Sequence, residues 1–352
     1  MFKSSTCSLS LAVGVLLFSV ASAYANDYTL QIVAKTGDTI GGKTLMVAPT
    51  CCISINNAGE VAFYAQFAGG SGVFTQTEAV AVTGDVVAGK TLLTPNLSVS
   101  LNNSGTVAFI GNFPDTTAVV TRRGGQDELV AAVGDVISGQ TITGFLTLNI
   151  NNRRIVTFSA STSGGLGIFT KDQRLAGIGY SISGYTLTGL DFFHSLNDLG
   201  TIAIAANCAC PFGGGIFTQN QLIIPGGGAA PSINNSGTVA FIATFPQGTG
   251  VYTQQGPVAI VGDTIGGITL IGVVKPQVNN AGLVVFEGNP FSSDHGVFTR
   301  TSLVAAQGDA VGGKTIGFTP LFFPVVNDLG QVAFSANFTD GTTGIVLATR
   351  KR

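Results

Sequence analysis

Asn234-Asn235-Ser236-Gly237-Thr238-Val239-Ala240-Phe241 reads as a tight turn followed by a strand, and its recurrence decides the fold. The asparagine side chain can close an Asx turn, the glycine accepts positive φ, and the run after it alternates bulky residues along one face. The Asn-x-x-Gly turn begins at Asn56, Asn102, Asn151, Asn197, Asn234, Asn279 and Asn327. Its copies are 46, 49, 46, 37, 45 and 48 residues apart. In the third copy Arg153-Arg154 replaces the small residue and the glycine.

A second motif, Gly-[Val/Ile]-[Phe/Tyr]-Thr, follows at Gly72, Gly167, Gly215, Gly250 and Gly296, with weaker copies at Ala118 and Gly344. A third, Gly-Asp-x-x-x-Gly, carries Asp38, Asp85, Asp135, Asp263 and Asp309. Each unit thus holds four short strand-like runs joined by polar turns, with no sustained helical period. The two ends settle how the units assemble. Leu30-Gln31-Ile32-Val33-Ala34 before Gly37-Asp38 is a fourth strand lacking its first three, and Gly344-Ile345-Val346-Leu347 is a third strand lacking its fourth. If the first run completes the last sheet, the units close into a ring. The expectation is an all-β, seven-bladed β-propeller of four-stranded antiparallel blades, with the N-terminal strand closing the last blade.

The Asn-x-x-Gly-x-x-Ala-Phe pattern, complete at Asn56, Asn102, Asn234 and Asn327, resembles the secreted bacterial tandem-repeat proteins named for that motif. The likeness spans the mature chain. It implies export and, in many members, a choice of C-terminal surface anchor; it implies no particular activity. This chain ends Thr349-Arg350-Lys351-Arg352 without a sorting tail, so no covalent anchor is expected.

The first residues are set apart from the fold. Lys3, an apolar run over 9–20 and Ala23-Tyr24-Ala25 read as a secretory signal peptide, residues 1–25, with the single propeller domain at 26–352. The apolar run is short for a membrane span. The 352 residues include 49 glycines, 24 phenylalanines and no tryptophan, and the net charge is −2. Such a neutral, apolar chain argues against disorder and against a nucleic-acid binder. An extracellular or periplasmic monomer with no cofactor follows.

The acids give no enzyme signature. Most carboxylates fall at the repeated Gly-Asp positions, in turns or in outer hairpins, which leaves Asp191 on an inner strand and Glu287 on a second strand. No inward acid pair emerges for glycosidase chemistry, and a nucleophilic triad has only His194 and His295 to draw on. Catalytic residues and a metal site are therefore not assigned. The five repeated aspartates are expected to hold their own loops, and Arg122, Arg123, Arg153 and Arg154 to form solvated turns. After export four cysteines remain, Cys51, Cys52, Cys208 and Cys210. The ring keeps the two pairs apart, so any disulfides are local, Cys51–Cys52 and Cys208–Cys210.

The repeat breaks around units four and five. Gly179-Tyr180 replaces Gly-Asp, Tyr185 replaces Lys or Gln, and the inner strand reads Asp191-Phe192-Phe193-His194. The next interblade loop shrinks to Gly226-Gly227-Gly228, which accounts for the 37-residue spacing. A notch lined by Tyr180, Tyr185, Asp191, Phe192 and His194 is the candidate binding site, suited to a surface glycan or a protein. The leading function is a non-catalytic binding scaffold; the alternative is a glycosidase or lyase with an atypical site.

Overall fold

A computed structural model describes residues 27–47, 52–319 and 322–351. The signal-peptide reading and Cys51 lie outside the described residues. The described residues form strands and turns without helices, and so contain no helix able to cross a membrane. The strands group into seven antiparallel blades, as the repeat predicts.

Ring closure follows the two unmatched ends. Tyr28–Lys35 pairs antiparallel with Thr343–Arg350, which pairs in turn with Val332–Asn337 and then Val325–Val326. The first strand of the chain is therefore the outer strand of blade seven. Its register runs from Tyr28 opposite Arg350 to Lys35 opposite Gly344, with a bulge between Ile32 and Ala34.

The Val-Ala-Phe run shows why seven sheets pack as a ring. Alternate side chains point to opposite faces of a strand, so phenylalanine and its neighbouring alanine meet different blades. Phe63 and Phe74 of blade one pack with Ala333 and Ile345 of blade seven, while Ala62 joins the core shared with blade two. Phe286 and Phe298 of blade six likewise pack on Ala240, Val251 and Ala259 of blade five. Large side chains on one sheet thus fill the space left by alanines on the next. Burying each ring removes water from apolar surface at about 1.5–3 kcal/mol.

The turns combine two tasks. Asn234 Oδ1 accepts the N–H groups of Ser236 (3.1 Å) and Thr238 (2.9 Å), closing the Asx turn. Gly237 sits at φ +79°, the left-handed region that glycine enters freely. Arg154 occupies the equivalent place at φ +62°. The same asparagine also reaches the next blade. Asn234 Nδ2 donates to Asn279 O, Asn279 to Asn327 O, and Asn327 to Asn56 O, at 2.8–3.0 Å. Asn56, Asn102, Asn151 and Asn197 continue the series to Asn234, so seven side chains form a closed ring of interblade bonds.

A second ring lies beside the first. The backbone N–H after each ring asparagine donates to the side chain of its counterpart in the next blade, from Asn57 onto Asn103 through to Asp328 onto Asn57. Asp198 and Asp328 each also accept two asparagine amides, one from either neighbour. Burial would raise the Asp198 carboxyl, but the Asn235 and Asn152 donors outweigh it and hold the pKa below the usual range.

The Gly-Asp turns hold their own loops, as expected. Asp38, Asp85, Asp135, Asp263 and Asp309 each accept the backbone N–H three residues upstream at 2.8–2.9 Å. Beyond each turn the sequence reading saw only a connection, whereas the chain there forms a short hairpin, such as Thr39–Ile40 with Lys43–Val47. Arg123, Arg153 and Arg154 are exposed as expected, and one arginine departs from the expectation. Arg122 is not a solvated turn residue: it pairs with Asp127 at 2.5 Å and donates to Val80 O and Val86 O, bracing blade two against blade one. Arg154 lies 3.7 Å from Glu128.

Candidate binding notch

The notch expected at the shortened loop is present. A cavity of about 620 Å³ is lined by Gly189, Leu190 and Asp191, by Ala205, Ala206 and Asn207, by residues 212–215, and by Gly226, Gly227 and Gly228. Two local features open it. Six of its lining residues are the consecutive glycines Gly213–Gly214–Gly215 and Gly226–Gly227–Gly228, which leave bare backbone. The inner strand of blade four also bulges: Leu190 faces Ala206 and His194 faces Ile204, so four steps on one strand match two on the other. The bulge lifts Asp191, whose Oδ1 accepts the Phe193 N–H at 3.1 Å.

The five proposed residues do not all meet there. Asp191 lines the notch directly. Tyr185 stands one layer back, edge-on to Phe212 at 5.1 Å, and Phe212 forms the aromatic wall. Tyr180 lies outside it, beside the Arg174 guanidinium at 5.9 Å. Phe192 is exposed, its ring tilted against Phe193 at 4.4 Å, and its carbonyl accepts the Thr147 hydroxyl of blade three. His194 turns away altogether. It is 8% exposed, with Nε2 2.8 Å from Thr157 Oγ1, and burial pushes its pKa down to about 4. His194 is thus a neutral packing residue between blades three and four.

Sequence reasoning missed Asn207 and the backbone of residues 213–215, which join Asp191 at the notch. Asn207 is the penultimate residue of its strand and lies on the polar parity, a usable signal, but the second-to-third loop gave no reason to single it out. The notch therefore offers one carboxylate, one amide, unobstructed peptide groups and a ring wall. Such a lining combines hydrogen-bonding groups with a face for stacking.

Acid–base chemistry has one other place to look. Glu287 Oε1 and His295 Nε2 are 2.6 Å apart, and both side chains are 0% exposed. Glu287 Oε2 also accepts the Phe323 N–H, and Phe322 lies 4.4 Å from the imidazole. A substrate could not reach this pair without unpacking the join between blades six and seven. On the opposite face, the asparagine and aspartate rings surround a channel mouth of about 190 Å³. The first ring's side-chain oxygens are engaged by their own turn N–H groups and the second ring's by interblade donors, which makes both a structural collar.

The cysteine expectation is met where it can be seen. Cys208 and Cys210 are joined, with Cα atoms 5.3 Å apart, on the loop that leads to Phe212.

No family model matches the chain, and no curated protein gives a significant match. Among solved structures, virginiamycin B lyase from Staphylococcus aureus is similar at 13% identity, with 91% of this chain and 99% of that one covered and a TM-score of 0.45. A gluconolactonase from Xanthomonas campestris is similar at 12% identity, covering 95% and 93% of the two chains with a TM-score of 0.40.

Proposed function

We propose that this chain is an exported, non-catalytic propeller of the N-x-x-G-x-x-A-F repeat type that binds a surface glycan in the notch at blades four and five. The observation that carries the reading is the combination of Asp191, Asn207 and Phe212 around bare glycine backbone in one open cavity. Sugars present hydroxyls and flat C–H faces, and that lining supplies a partner for each. Catalysis finds less support, because Asp191 has no second carboxylate among the notch residues and the Glu287–His295 pair is sealed.

The test is a glycan array probed with the purified mature chain, run beside a panel of chromogenic glycosides. The expected outcome is saturable binding to a subset of glycans, weakened at least tenfold by Asp191→Ala, with no turnover. Turnover abolished by Asp191→Asn would establish the glycosidase alternative instead.

A further inference from the structure

Six of the seven blades carry the short hairpin that follows the Gly-Asp turn, and blade five does not. The six hairpins are seated alike. Each buries two aliphatic side chains against its own blade, as Ile40 and Leu45, Val87 and Leu92, or Val311 and Ile316 do. Each also rests on the outer strand: Ala88 N–H donates to Asp127 of blade two, and Ser138 and Ser183 accept the N–H groups of Arg174 and Leu222. In three of the six, a hairpin lysine reaches the second-to-third loop. Lys43 lies over the Phe67 ring, Lys314 lies over Phe338 and bonds Asp340, and Lys90 bonds Asp115.

In blade five that seat is empty. The chain passes from Pro225 to Ala229 through three glycines, and a groove of about 310 Å³ opens along the outer flank. It is lined by Ile224, Phe245, Pro246, Tyr252 and Pro257 among others. Phe245 is the counterpart of Phe67 and Phe338, now with no lysine above it. Ile224 stands where the other outer strands carry alanine, for example Ala81, Ala131 and Ala305. Its larger side chain fills part of the vacated space and leaves the rest open.

We infer that the flank of blade five is a docking site for a β-hairpin of a partner protein, one carrying two aliphatic side chains five residues apart and a lysine between them. The internal hairpins state the chemistry the seat accepts: aliphatic burial below in all six, a cation over the ring that corresponds to Phe245 in the two with Lys43 and Lys314, and bonds to the outer strand, here Gly256–Ile260. This site is separate from the glycan notch and does not rest on that reading.

The probe is a cyclised peptide copying residues 308–316, Gly-Asp-Ala-Val-Gly-Gly-Lys-Thr-Ile, titrated into the full mature chain by calorimetry and NMR. Saturable binding is expected, at least tenfold weaker for the peptide with both Val311→Ser and Ile316→Ser. Inserting the same segment in place of Gly227 should raise the melting temperature and abolish peptide binding. Should that insertion fail to fold, Pro257→Lys, at an exposed groove position, should weaken binding at least tenfold by repelling the peptide lysine. Glycan-array signals should be unchanged by Pro257→Lys, which separates the two sites. Absence of binding at millimolar peptide, or equal binding to wild type and Pro257→Lys, would overturn the assignment. A concentration-dependent dimer disrupted by Pro257→Lys would place a second copy of this chain there and overturn it too.

Discussion

Replacing Asn234 by aspartate and by alanine separates the two tasks of the ring asparagine. Oδ1 of Asn234 accepts two backbone N–H groups and the Ser236 hydroxyl, while Nδ2 donates to Asn279 O at 3.0 Å. Asn234→Ala removes all of these from a buried position and orphans the turn N–H groups, for a loss of about 3–5 kcal/mol. Asn234→Asp keeps the acceptor that closes the turn and sets a second oxygen against the Asn279 carbonyl. The lost bond and the oxygen–oxygen apposition together should cost about 2–3 kcal/mol at pH 7. The aspartate variant carries its own sign check. The turn donors to Oδ1 lower the pKa of the introduced acid, whereas burial at 3% exposure and the facing carbonyl raise it by more, and its protonated form regains a donor. Its deficit relative to wild type should therefore be full at pH 7 and shrink as pH falls toward 4. Urea unfolding across that range measures both quantities. An aspartate variant within about 0.5 kcal/mol of wild type at pH 7, beside a strongly weakened alanine variant, would refute the interblade latch and leave only the turn.

Arg154→Gly should stabilise the chain by about 0.5–1 kcal/mol, since a side chain at φ +62° is strained where glycine is not; thermal melts check it. His194 is neutral in the fold with a pKa of about 4, while the unfolded chain takes up its proton near 6.5. Stability is therefore fully present above pH 7 and falls by about 3 kcal/mol as pH drops to 4, so His194→Gln should flatten that slope in urea titrations. Glu287→Ala should cost about 3 kcal/mol or more by stranding the buried His295, read as a lowered urea midpoint.

Much of the fold was legible because the repeat is local. An asparagine, a glycine three residues on and a Val-Ala-Phe run state a turn, a positive φ and a strand within eight residues, and the unmatched ends at Leu30 and Gly344 state the closure. The asparagine collar was not legible. Its bonds join residues 37–49 apart, and the closing one joins Asn327 to Asn56 across 271 positions. No local pattern distinguishes an asparagine that closes its own turn from one that also latches its neighbour. The shortened loop at Gly226 located the notch correctly, because missing residues leave a gap whatever surrounds it. Which side chains line that gap was legible only in part: Asp191 does, whereas Tyr180 lies beside Arg174 and Tyr185 behind Phe212. The two extra residues between Leu190 and His194 preserve the alternation, so Asp191 and His194 stay on opposite faces, one at the notch and the other toward Thr157.

Gly227 offers the most direct measurement of whether the notch binds ligand. A Cβ built there meets no atom within 4 Å, so Gly227→Trp should obstruct the cavity without disturbing the blades. Wild type and Gly227→Trp are compared at equal concentration on the same glycan array, with melting temperatures measured in parallel. The expected result is unchanged melting and at least a tenfold loss of glycan binding. Undiminished binding by Gly227→Trp, with the fold intact, would contradict the notch as the site of recognition.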